Sequence, residues 1–92
     1  MYWPEMRAHM FLVHGKLFWA GRCVMVAKGD RRMQLVFGSH DRKTAAMIDE
    51  RLCHLADGTV VQTEVEKLIS DLPFIRFVFD ENRGGWNREV SS

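Results

Sequence analysis

Two glycine turns, at Gly15-Lys16 and Gly29-Asp30, frame the stretch LFWAGRCVMVAK, residues 17 to 28, which reads as one long strand. A strand with one side in water alternates apolar and polar residues, and this one does not. Phe18, Ala20, Val24 and Val26 fall on one face. Leu17, Trp19, Cys23, Met25 and Ala27 fall on the other. Both sides therefore need cover.

The turns also place the neighbours. Residues 9 to 14 form a strand before the first turn, and residues 31 to 37 return as a third strand after the second, giving a three-stranded antiparallel meander. Two-residue turns set position 13 opposite 18 and position 26 opposite 33. One side then carries Phe11, Val13, Phe18, Ala20, Val24, Val26, Met33, Leu35 and Phe37, with His9 and Arg22 at one end. That side is the expected core. The other carries Met10, Leu12, His14, Leu17, Trp19, Gly21, Cys23, Met25, Ala27, Arg32, Gln34 and Val36.

Beyond residue 38 the apolar period changes from two to about three and a half. Ala45, Ile48, Leu52, Leu55 and Ala56 line one side of HDRKTAAMIDERLCHLA, an amphipathic helix that Ser39 or Asp41 can cap and Gly58 can end. In TEVEKLISDLP, Thr63 and Glu66 have capping-box spacing, and Val65, Leu68, Ile69 and Leu72 make the stripe of a shorter helix stopped by Pro73. FIRFVFD, residues 74 to 80, then reads as a fourth strand on the sheet edge. The expected fold class is α+β in the order βββααβ. Residues 1–8 read as an arm, 9–80 as a single domain and 81–92 as a flexible tail.

Composition narrows the function classes. The 92 residues are 47% apolar and 27% charged, which suits one folded domain, and the net charge of +1 argues against a purely electrostatic binder of nucleic acid or membrane. Two cysteines thirty residues apart make no disulfide framework or metal motif, so reduced thiols and a cytoplasmic location are expected. No apolar run is long enough for a membrane span, and no signal-peptide pattern opens the chain. His9 and His14 lie on opposite faces of one strand. Cys53 and His54 are neighbours on a helix and diverge by about 100°. No catalytic residue, metal ligand, cofactor or small-molecule substrate is read from these groups.

Burying a large apolar side chain is worth roughly 1.5 to 3 kcal/mol, so leaving Leu12, Trp19 and Met25 all in water would be costly for a small domain. The second helix with residues 1 to 3, a second copy of the chain, or a different protein could cover them. The expected function is a small non-enzymatic protein-binding module, an adaptor or inhibitor of the kind found among phage and bacterial accessory proteins. Its interface would be Leu12, Leu17, Trp19, Met25 and Arg32, used for a partner or for homodimerisation. The alternative is nucleic-acid binding, because the chain holds seven cations against Asp30 and Asp41 between residues 16 and 43. Lys28, Arg31 and Arg32 at a hairpin tip, with Arg42 and Lys43 at the helix entrance, would contact phosphates.

The meander followed by FGSHDRKTAAMIDERL is similar in topology to plant AP2-type domains and integrase arm-binding domains, and that stretch resembles the AP2 helix entrance. This resemblance implies a sheet laid into a DNA groove. It covers under half of the chain, and the second sheet face offers Arg32 among methionine, leucine and cysteine where those families present arginines and tryptophans.

Overall fold

In the computed structural model of the chain, residues 10–13, 16–55 and 60–89 are described. Strands β1 (Met10–Val13), β2 (Lys16–Lys28) and β3 (Arg31–Ser39) form the meander. Helices α1 (Arg42–Leu52) and α2 (Gln62–Leu68) follow, and then strands β4 (Ile75–Asp80) and β5 (Gly85–Glu89). The fold is α+β. All five strands join one antiparallel sheet in chain order, so β4 pairs with β3 and β5 lies along its outer edge. Val60 adds a bridge to Val26 on the free edge of β2.

The C-terminal stretch departs from the expected tail. The Asp80 carboxylate accepts from the Asn82 amide, a single 3-10 turn covers Glu81–Arg83, and Gly84 at φ 85° turns the chain back into β5. Residues 81 to 89 are thus part of the domain. The expected arm at 1–8 lies outside the described residues, as do Gly58 and the side chains of Leu12 and His14. The register of the first hairpin also differs from the expected one: Val13 pairs with Lys16 and Phe11 with Phe18, where the turn reading sets 13 opposite 18.

Asp41, not Ser39, caps α1, its carboxylate accepting from the Thr44 amide at 3.0 Å and the Thr44 hydroxyl at 2.8 Å. α1 stops at Leu52, short of the expected Ala56. Thr63 does not cap α2, whose first residue is Gln62 and whose N-cap, Val61, has no side-chain hydrogen bond. Ala45, Ile48 and Leu52 of α1 and Val65 of α2, with Ile69 just beyond it, cover Val24, Val26, Leu35, Phe37 and Val78. At roughly 1.5 to 3 kcal/mol for each large side chain, this layer is the principal source of stability.

The second sheet face is where the rows read from sequence fail. Trp19 and Ala20 pair with Ser39 and Gly38, but Arg22 pairs with Phe37, so Gly21 is an extra residue without an opposite number. The bulge reverses the alternation. Before it, Phe18 and Ala20 share a side with Val36, away from the helices; after it, Val24 and Val26 face α1. Leu17 and Trp19 consequently belong to the helix side. The bulge needs glycine because a Cβ on Gly21 would lie 2.7 Å from the Phe37 carbonyl and 2.9 Å from Ile48 Cγ2. Gly38 sits even closer beneath the Trp19 carbonyl.

Bulges bend and twist a strand. Here the bend brings β1 into contact with β5, and the face opposite the helices curls on itself. Phe18 (2% exposed) and Phe77 (0%) meet edge-on at 5.1 Å inside the curl, among Ala20, Val36 and Ile75. The sheet covers its own second face.

Two outcomes follow from this geometry. G21A should lower the free energy of unfolding by about 1 to 3 kcal/mol, the usual cost of overpacking, and G38A should cost at least as much. G29A, where a Cβ meets nothing but φ is 64°, should cost about 1 to 2 kcal/mol through backbone strain alone. Denaturant unfolding that ranks Gly29 as the most sensitive site contradicts the bulge. The second outcome concerns acid. Hydrogen bonds from the Thr44 hydroxyl and then its amide hold the Asp41 carboxyl below its ordinary value of 3.8. Its contribution is complete above pH 3.8 and fades as pH falls through the lower folded value. D41N should therefore flatten the dependence of stability on pH below about pH 4, checked by unfolding across that range.

Candidate functional site

The bulge scatters the interface expected from sequence. Leu17 (54% exposed) and Trp19 lie on the helix side, where the Arg42 guanidinium stacks 5.1 Å from the indole centre. Arg22 beside them reaches Asp49 at 3.0 Å, tying β2 to α1. Met25 and Arg32 lie on the opposite side. Leu12 pairs with Leu17 through the backbone. Leu17 and Trp19 are thus separated by the sheet from Met25 and Arg32.

The expected phosphate contacts separate as well. Lys28, Arg31 and Arg32 are exposed at the β2–β3 tip, whereas Arg42 and Lys43 follow the far end of β3. Nine residues at about 3.3 Å each hold these groups roughly 25 to 30 Å apart. On the face opposite the helices, Phe18, Val36 and Phe77 are buried within the curl and are not exposed to a groove.

The structure instead gathers residues where the curl opens. Pairing between β3 and β4 ends at Leu35 with Val78, while Arg31–Gln34 stay paired to β2 and Phe79–Asp80 to β5. The strands part, and a cleft of about 560 Å³ lies between them. Met25, Met33, Val78 and Phe79 supply apolar lining, and Arg31, Arg32, Gln34 and the turn residues Glu81, Asn82 and Arg83 supply the polar rim. Phe79 is 40% exposed and rests edge-on against Trp86 at 5.2 Å.

Charges around the cleft divide into engaged and free. Asp80 caps the 3-10 turn, and Glu89 lies 3.6 Å from Arg76. Arg76, buried on the helix side of β4, also pairs with Glu66, which accepts from Gln62 at 3.2 Å. The side chains of Arg31, Arg32, Arg83 and Glu81 make no hydrogen bond or ion pair among the described residues. Three guanidinium groups and one carboxylate on the lining of the cleft are thus without a side-chain partner among the described residues.

Met25, Arg31 and Arg32 are candidates from the sequence, whereas the sequence pattern sets Phe79 on an edge strand and Arg83 in a tail. The usable signals were Gly21 inside a strand and Asp80 two residues before Asn82. The described residues hold no cluster of three or more His, Cys, Asp or Glu side chains able to bind a metal ion, and no helix long and apolar enough to cross a membrane. Comparison with protein-family models, curated proteins and solved structures finds no match to this chain.

The Arg76 cluster fixes the helix-side wall behind the cleft. R76A would leave Glu66 and Glu89 facing each other without their shared cation. The expected loss is about 3 kcal/mol, at the low end for breaking a buried pair because both glutamates keep some water contact. R76K, which keeps the charge, should recover part of it in denaturant unfolding; equal stability of R76A and the parent would contradict the cluster's role.

Proposed function

We propose that this chain is a small non-enzymatic binding module that receives a protein partner in the cleft between β3 and β4. The observation that carries this reading is an exposed aromatic side chain, Phe79, in a cleft lined by methionines and arginines without side-chain partners where β3 and β4 part. Interfaces are enriched in aromatic residues, methionine and arginine around an apolar centre, and this cleft has that composition. Met25 and Arg32 carry over from the interface expected from sequence. Leu17 and Trp19 lie on the other side of the sheet and are given no part in it.

Nucleic acid is the competing ligand because Lys28, Arg31 and Arg32 share the hairpin tip with Arg83 nearby. Glu81 would repel a phosphate chain there, and the backbone carbonyls on the parted strands would find no donor in it.

A displayed library of random peptides, selected against the parent protein and counter-selected against F79D and R32E, tests the reading. Peptides retained by the parent should bind each variant at least tenfold more weakly, about 1.4 kcal/mol, with thermal unfolding of R32E unchanged. Failure to enrich any peptide contradicts it. So does binding confined to oligonucleotides, with affinity falling steeply as salt is added.

A further inference from the structure

Resting on the protein-binding reading, we infer that the partner is an extended acidic peptide segment that adds as a strand to the open edge of β3 at Arg31–Gln34. Two independent observations meet at this edge.

The first is the backbone. β3 continues for four residues beyond its last pair with β4, and along that stretch its ladder runs to β2 alone. Phe79 and Asp80 opposite are laddered only to β5. Both walls of the cleft therefore present main-chain donors and acceptors that the sheet does not use. An open edge of this kind is a template for an added strand, with main-chain hydrogen bonds giving affinity and flanking side chains giving selectivity. A phosphate chain offers no N–H groups for the carbonyls on such an edge, whereas a peptide does.

The second is the order of side chains along the edge. Arg32 and Gln34 stand on the curled side of β3, and Arg31 and Met33 on the helix side. A strand laid beside them meets a guanidinium on each side near the hairpin tip. Further in, it meets Met33 and Val78 on one side and Met25 and Phe79 on the other. Arg83 extends the cationic end; Glu81 among the lining residues and Asp30 at the hairpin turn are the carboxylates near it without a side-chain partner among the described residues, against three guanidinium groups. The complementary segment has carboxylates at one end and apolar residues at the other. Unpaired guanidinium groups donate to carboxylates in bidentate geometry, and this end of the cleft holds three such groups.

Amide-resolved NMR titrations with three probes test the inference. The probes are a blocked hexapeptide of three glutamates and three valines, its lysine-for-glutamate counterpart, and a short oligothymidylate. Saturable shifts at Arg31–Gln34 and Phe79–Asp80 should appear with the glutamate peptide, weaken at least tenfold with lysine, and disappear when alternate peptide nitrogens are methylated. A protein carrying R31E, R32E and R83E, all exposed substitutions, should reverse the preference toward the lysine peptide. Equal binding of both peptides, shifts elsewhere, or no shift with either peptide overturns the inference. Peptides enriched from the library would in those cases still uphold the protein-binding reading. Binding of oligothymidylate alone overturns both.

Discussion

One unpaired residue, Gly21, decides what the rest of the sheet can do. A thirteen-residue strand with two apolar faces would ordinarily need two separate covering layers. By inserting one residue, the chain exchanges its faces partway along and bends, so that helices cover one half and the sheet's own curl covers the other. The close approach of Gly21 to the Phe37 and Ala45 carbonyls, and of Gly38 to the Trp19 carbonyl, leaves no room for a side chain at either position. Backbone proximity at two glycines thus stands behind the burial of Phe18 and Phe77.

The cleft is a consequence of the same bend. A sheet that curls tightly at the Gly21 end, where β1 reaches β5, need not stay closed at the other, and pairing between β3 and β4 lapses after Leu35. The 3-10 turn and β5 then hold Phe79 and Arg83 across from Arg31 and Arg32. The rigid ladder of β2 with β3 and the Arg76 cluster behind β4 fix both walls. Such support from elements rather than loops is what a preorganised binding edge requires.

Much of the fold was legible because the signals were local. Gly29-Asp30 gave the second hairpin and the pairing of Val26 with Met33; the spacing of Ala45, Ile48 and Leu52 gave the buried side of α1. Illegible features depended on long-range geometry. Read from sequence alone, Gly21 takes an ordinary place in the alternation, which puts Trp19 and Phe18 on each other's side. Asp80, Asn82 and two positive-φ glycines make a reversal only because β4 offers its edge, so β5 looked like a tail. The candidate site suffered most: it lies between two strands that part, and no pattern within either strand records the parting.

The central claim is the exchange of faces at Gly21, and side-chain proton contacts measured by NMR test it most directly. Contacts of the Phe18 ring with Phe77, together with contacts of the Trp19 indole with Arg42 on α1, are expected. Contacts of Trp19 with Cys23 and Met25, together with contacts of Phe18 with Ile48, would show an unbroken alternation along β2 and would contradict the account.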